Sequence, residues 1–213
     1  MSKIVLIFLI YLGQFLTLNS EEPKLEEIIK GLNNPWSLSF MTNENVLITE
    51  KSGTLLKLNL TNKEISKFTH NLNVLEDGQG GLLEVLFNNN EIFVSYSENR
   101  GNGKSSTSVA KALIKKNDLN FKNIFRAEPP INSGYHFGSR LVIKDNYLFI
   151  TAGERGKGMI AQDATKHPGS IVRIHLDGSV PINNPKFENK KKWLPEIYQI
   201  GVRNPEGMAL SPF

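Results

Sequence analysis

A chain of 213 residues, 39% hydrophobic and 22% charged, falls in the globular class and is long enough for one sizeable core or two small ones. Its formal net charge of +4 comes from scattered lysines with a single run at Lys190–Lys192, which argues against a dedicated nucleic-acid face and for a solvated loop. No cysteine occurs, so disulfides, thiol catalysis, thiolate-ligated zinc and lipid attachment through cysteine are all excluded.

Residues 1–20 begin with Lys3, continue as the apolar run Ile4–Leu12 and end in Asn19-Ser20 before the acidic Glu21-Glu22. This is the pattern of a secretory signal peptide, with a mature chain from Glu21 to residue 213. An uncleaved anchor is the competing reading, but Gly13 and Gln14 cut the apolar run short of the roughly 20 residues a spanning helix needs. The expectation is therefore export to the periplasm or the medium with no stable membrane insertion. Export without cysteine fits a bacterial periplasm.

Leu25–Lys30, with Leu25, Ile28 and Ile29 on one face, has helical spacing. Beyond it the pattern is of short β-rich runs divided by Asn, Asp and Gly turns. A first unit reads Pro35–Phe40, Val46–Glu50 and Leu55–Leu60. A second reads Gly80–Phe87, the turn Asn88–Asn90 and Glu91–Tyr96. A third reads Gly138–Ile143, the turn Lys144–Asn146, Tyr147–Thr151 and Ile171–Leu176, and a fourth opens at Asn204–Ser211. Units of about 40 to 50 residues with several strands each indicate all-β propeller blades around a central channel. A β-sandwich is the alternative, and these units are long for its single strands. In a propeller of about six blades, the sequence holds roughly the first half.

The third unit carries the chemistry. His136-Phe-Gly-Ser-Arg140 and Gly153-Glu-Arg-Gly156 place one imidazole beside glycine-shaped backbone at the mouth of a strand. Histidine is the side chain best suited to take a proton near neutral pH, and loops on a rigid scaffold carry catalytic groups. A turn histidine bonded to backbone is the other reading. Gln79, between Gly78 and Gly80, is an amide suited to an orienting hydrogen bond, or plain turn chemistry. His70, His167 and His175 lack metal-ligand spacing, and Glu76-Asp77 reads as a surface turn rather than a calcium loop.

From about Leu32 to its last residue the chain resembles the soluble aldose sugar dehydrogenases that use pyrroloquinoline quinone, the glucose/sorbosone dehydrogenase family. The resemblance rests on Pro35-Trp-Ser-Leu38, Thr49-Glu50 with Gly53, Gly78-Gln-Gly-Gly-Leu-Leu83, Val94-Ser-Tyr96, His136-Phe-Gly-Ser-Arg140, Gly153-Glu-Arg155 and Ala161-Gln-Asp163. It continues through Asp177-Gly-Ser-Val-Pro181, Asn184-Pro185, Pro195-Glu-Ile197 and Gly201-Val-Arg-Asn-Pro-Glu-Gly207.

The resemblance implies a six-bladed β-propeller with the quinone over the channel and a calcium ion bound to it. The implied reaction takes the anomeric hydroxyl of an aldose to a lactone and passes electrons to the quinone, then to an external acceptor. It makes His136 the general base and sets Gln79 against cofactor or substrate. It also sets Arg203 and Asn204 beside the cofactor, where a guanidinium can clamp a carboxylate. Glu154 stands where an aspartate is common, as contact to sugar or orienter of the histidine. Arg140 reads as a support for the turn. Much of the family's calcium shell lies beyond the Arg-Asn pair, so the metal ligands are expected past Phe213 and the 213-residue chain alone is expected to be inactive. Two rivals remain, a non-catalytic propeller binding module and a sugar-lactonase-like propeller. Convergence of His136, Gln79 and Arg203 on one channel favours the dehydrogenase over the module.

Overall fold

The computed structural model describes residues 23–186 and 192–212. The segment 1–20 read as an export signal, and Lys190 and Lys191 of the lysine run, lie outside these residues. The described chain is all-β apart from a short 3-10 helix at Gly158–Gln162.

The first sheet is a meander of β1 (Pro35–Phe40), β2 (Asn45–Glu50), β3 (Thr54–Asn59) and β4 (Ile65–His70). The second runs β5 (Leu82–Asn88), β6 (Glu91–Asn99) and β7 (Ser105–Leu113). The chain then crosses to pair β8 (Asp118–Leu119) in parallel with the edge of β4, before β9 (Lys122–Arg126) completes the second sheet. The third is β10 (Gly138–Lys144), β11 (Tyr147–Ala152), β12 (Ser170–His175) and β13 (Ile197–Ile200). β5 packs on β1 and β2, and β10 packs on β5, β6 and β7, so the first strand of each sheet lies innermost. These are three consecutive propeller blades, not a sandwich.

The blades are held by two apolar seams. Leu47, Leu55 and Phe68 of the first sheet meet Leu82, Val85, Ile92, Val94 and Tyr96 of the second. Phe93, Val109 and Phe125 of the second meet Leu141, Leu148, Ile150, Val172 and Ile174 of the third. Ile92 and Phe93 are neighbours on opposite seams because successive side chains of a strand point to opposite faces. Burial on both faces explains why these strands read as nearly continuous apolar runs. The Asn and Asp turns also have a physical basis. Asn89 and Asn90 (φ 48 and 66) and Asp145 and Asn146 (φ 49 and 64) form two-residue hairpin turns with both residues left-handed.

Each innermost strand is bulged near its start, between Pro35 and Ser37, Leu82 and Val85, and Gly138 and Leu141. At every bulge a hydroxyl of the second strand accepts the freed N–H and donates to the next blade or, from the third sheet, to the segment that follows it. Ser37 N–H donates to Thr49 Oγ1 at 3.2 Å, and Thr49 donates to Leu83 O at 2.5 Å. Glu84 N–H donates to Ser95 Oγ at 3.0 Å, and Ser95 donates to Ser139 O at 2.5 Å. Arg140 N–H donates to Thr151 Oγ1 at 2.8 Å, and Thr151 donates to Pro205 O at 2.7 Å.

Three expectations need correction. Leu25–Lys30 is not helical: Leu25 is fully exposed, while Ile29 and Leu32 lie against Val46, Ile48, Leu56 and Leu58 on the outer face of the first sheet. Six residues of helical spacing cannot overcome helix nucleation when their apolar groups have a sheet to cover. No strand forms among the described residues of the expected fourth unit, although Pro205 O takes the relay place of Leu83 and Ser139. Finally, β4, β7, β9 and β13 were absent from the expected runs. The outermost of these are half exposed, and the first four residues that β7 buries are Ser105, Ser106, Thr107 and Ser108, with Val109 and Ala110 only after them.

Candidate active site

The site grows from the loop that enters β10. His136 has φ 54 and, after Phe137, Gly138 and Ser139 have φ 66 and 81, three left-handed positions where the chain enters the bulge. The sequence permits it because Gly153 leaves room: a Cβ there would stand 2.0 Å from His136 O. The His136 carbonyl also accepts the Arg155 N–H at 3.3 Å.

Gln79 reaches this loop from the turn before β5. Its N–H donates to Gly134 O at 2.7 Å, and its Oε1 accepts the His136 N–H at 2.7 Å. The approach depends on Gly78, since a Cβ there would meet Gly134 O at 2.5 Å. Lys51 Nζ donates to Gly78 O at 2.7 Å, tying the same turn to the first blade.

The imidazole Nδ1 of His136 is in hydrogen-bond contact with Glu154 Oε1. Glu154 is 3% exposed, and its other oxygen accepts the Gly158 N–H at 2.5 Å. Burial pushes the Glu154 carboxyl up, but the bonds from His136 and from the Gly158 and Lys157 N–H groups outweigh it and hold the carboxyl below its ordinary range. A carboxylate at Nδ1 assigns the proton to that nitrogen. It leaves the lone pair on Nε2, which has no hydrogen-bond partner among the described residues. The long arm of Glu154 therefore reaches the histidine, with both oxygens already engaged inside the protein.

Arg203 and Asn204 join through the backbone and the amide. Glu154 N–H donates to Arg203 O at 2.8 Å, and Asn204 Oδ1 accepts the Gly138 N–H at 2.9 Å while its Nδ2 donates to Glu206 Oε1 at 2.9 Å. Arg203 is exposed, and its guanidinium has no bonded partner among the described residues. The structure thus links Gln79, His136 and Glu154 by direct hydrogen bonds, with Asn204 attached through the Gly138 N–H and Arg203 through its main-chain carbonyl.

Two side chains outside the sequence-derived set hold this assembly. Arg155 is 2% exposed, and burial pushes its guanidinium down to about 10 against the raising effect of Asp77. It donates to Tyr135 O at 3.0 Å, Ser105 O at 2.8 Å, Ser105 Oγ at 2.9 Å and Ser133 O, and stacks 3.7 Å from the Phe137 ring centroid. Thr107 Oγ1 donates to Phe137 O at 2.7 Å. The only signal for Arg155 was its place inside the Gly153–Gly156 run. Elsewhere, His167 bridges the Glu128 N–H at 2.9 Å and Glu196 Oε1 at 2.8 Å, and His70 bonds Gly53 O at 2.7 Å. Among the described residues no group of three or more His, Cys, Asp or Glu could hold a metal ion, and no helix is long and apolar enough to cross a membrane.

The blades and this site define a β-propeller whose rim carries a histidine with one nitrogen held by a buried carboxylate and the other open. The family model described as Glucose / Sorbosone dehydrogenase matches residues 32–213, and the chain belongs to that family. Aldose sugar dehydrogenase YliI of Escherichia coli (strain K12) is 36% identical over 193 residues, covering 85% of this chain and 52% of that protein. Quinoprotein glucose dehydrogenase B of Acinetobacter calcoaceticus is 26% identical over 235 residues, covering 94% of this chain and 48% of that protein. A crystal structure of a glucose dehydrogenase superposes with a TM-score of 0.84 at 35% identity, covering 90% of this chain and 58% of that one. The chain spans about half the length of these curated relatives.

Proposed function

We propose that the complete gene product oxidises the anomeric hydroxyl of an aldose to a lactone, with His136 as the general base. The observation that carries this reading is the His136–Glu154 pair, with Nε2 free of any hydrogen-bond partner among the described residues and the His136 backbone N–H held by Gln79. In the purely structural His167–Glu196 pair both imidazole nitrogens are bonded within the protein, whereas His136 keeps one nitrogen free to take a proton.

The chain's own groups divide the work. His136 Nε2 takes the hydroxyl proton, and the resulting imidazolium is stabilised by Glu154 at Nδ1. Gln79 is exposed, holds the histidine backbone through Oε1, and keeps its amide N–H groups for a sugar hydroxyl or a cofactor carbonyl. The exposed Arg203 guanidinium suits a cofactor carboxylate, and Asn204 fixes the start of β10 beside it. These donors fit a quinone bearing carboxylates, in keeping with the relative named a quinoprotein. Pyrroloquinoline quinone, when bound, supplies the two-electron acceptor for the hydride that leaves the anomeric carbon, and an external electron acceptor restores it. Calcium belongs to this reading through the family resemblance.

The proposal extends to six blades in the whole protein and to place. The segment 1–20 directs export, cleavage leaves a mature chain from Glu21, and the protein works in the periplasm or outside the cell. Mass spectrometry of the protein from the exported fraction checks this, and an intact N-terminus on cytoplasmic protein would refute it.

The deciding experiment is dye-linked aldose oxidation by the complete gene product reconstituted with pyrroloquinoline quinone and calcium, comparing wild type with His136→Ala. Quinone-dependent turnover that drops about 10²- to 10⁴-fold in the variant is expected for loss of a general base. A folded wild type that oxidises no aldose when so loaded would remove the dehydrogenase reading.

A further inference from the structure

Tyr135 precedes the base, yet its ring takes no part in the hydrogen-bond assembly around it. It is 62% exposed, high for a large aromatic side chain beside a built site. Its backbone is fixed on both sides: its N–H donates to Ser133 Oγ at 3.2 Å and its carbonyl accepts Arg155 Nε at 3.0 Å. The next N–H, that of His136, is held by Gln79 at 2.7 Å. The ring centroid lies 6.2 Å from that of His136 at 64°, an edge-on arrangement. One flank rests near Gly156, where a Cβ would stand 3.8 Å from Tyr135 Cβ and 3.9 Å from Cδ2. Among the described residues its phenol oxygen has no hydrogen-bond partner.

An exposed ring on a mobile loop would need no explanation, but this one stands on backbone that three separate groups pin in place. A pyranose has a C–H face that packs on an aromatic ring and hydroxyls that meet a phenol. An aromatic body with a free polar tip suits both. We propose that Tyr135 is a sugar-binding residue of this site: its ring packs against the C–H face of the aldose bound beside His136. This rests on the aldose reading given above. Because the ring is present before and after proton transfer alike, its contribution is uniform binding, which sets KM and leaves kcat nearly unchanged.

The test uses the complete gene product as wild type, Tyr135→Phe and Tyr135→Ala, with circular dichroism to confirm the fold. Binding of a methyl aldoside, whose blocked anomeric oxygen prevents turnover, is read by calorimetry on the quinone-loaded protein. Kinetics with the free aldose follow. Tyr135→Ala is expected to weaken aldoside binding and raise KM about 3- to 10-fold with kcat within about twofold, while Tyr135→Phe keeps most of the affinity. Unchanged aldoside binding in Tyr135→Ala would overturn the proposal, as would loss of kcat at constant KM, which would mean that the ring only positions His136. Absence of aldoside binding to the wild type also overturns it. If binding depends on Tyr135 but no aldose is oxidised, the sugar subsite stands and the dehydrogenase reading fails.

Discussion

Arg140 in the third blade donates to the Glu84 carboxylate in the second, and each of the two occupies the bulge position of its own innermost strand. Arg140 also lies 5.0 Å from the Trp36 ring centroid of the first blade and donates through Nε to Glu206 O at 2.9 Å. One side chain thus connects all three blades and the segment that follows them. It supports the fold of the turn that carries His136 without touching the histidine.

Glu84 is 6% exposed, and its titration should be visible in stability. Burial pushes its carboxyl up, Arg140 and a hydrogen bond from Ser37 pull it back, and the balance leaves it at about 7, above its ordinary 4.5. The native state therefore holds a proton that the unfolded chain has already released, so stability falls as pH rises from about 4.5 and levels off above about 7. The size is on the order of 3 kcal/mol. Thermal unfolding followed against pH should show this slope in wild type and not in Glu84→Gln; an equal slope in both would refute the assignment.

The hydroxyl relay gives a second prediction. Ser95 is fully buried, and its one oxygen serves both Glu84 N–H and Ser139 O. Ser95→Ala leaves two buried backbone groups without a partner, at a cost of roughly 2–4 kcal/mol. Chemical denaturation measures it, and a loss below about 0.5 kcal/mol would show that the relay contributes little.

How much of this could be read in advance follows from the same physics. Leu47, Ile92, Phe93, Val94 and Ile150 announced strands because a strand between two seams is apolar on both faces. The Asn-Asn and Asp-Asn turns announced hairpins because both positions demand left-handed backbone. β7 was silent because its inner end buries Ser and Thr hydroxyls, and β4, β9 and β13 because outer strands keep one face wet. His136, Gln79 and Glu154 stood out through the glycines beside them, which are there because the backbones touch. Arg155 and Ser95 did not, since a side chain that satisfies main-chain atoms of distant residues leaves no spacing to recognise.

Gly153 and Gly156 flank the Glu154 position and should respond differently to alanine. At Gly153 a Cβ would meet three backbone atoms, His136 O at 2.0 Å, His136 C at 2.4 Å and Gly138 N at 3.0 Å, none of which can swing aside. Gly153→Ala must displace the His136 loop, costing about 2–3 kcal/mol and much of the activity. At Gly156 the nearest atom is 3.7 Å away and only the left-handed φ of 70 opposes a side chain, so Gly156→Ala should cost about 1–2 kcal/mol and keep kcat. Denaturation paired with turnover on both variants checks this; equal kcat losses would contradict it.

Glu154→Gln probes the orientation of the base. The amide can offer its oxygen to the Gly158 N–H or to His136 Nδ1–H, but not to both, since its other end carries only donors. If the oxygen takes Gly158, the amide N–H faces Nδ1 and forces the proton onto Nε2, where it blocks proton abstraction. If it takes Nδ1, a buried N–H is opposed by a donor and the loop that includes Gly158 shifts. Either way kcat should fall by about 10²-fold or more, approaching the loss in His136→Ala, while KM changes little. Glu154→Asp, which keeps the charge, should retain more activity than the amide. The carboxyl is held below its ordinary value, so the pair stabilises the fold above about pH 4.5 and loses that contribution as pH falls through the native titration. Wild-type turnover in Glu154→Gln would mean that His136 is oriented by its backbone alone, through Gln79 and the close approach at Gly153.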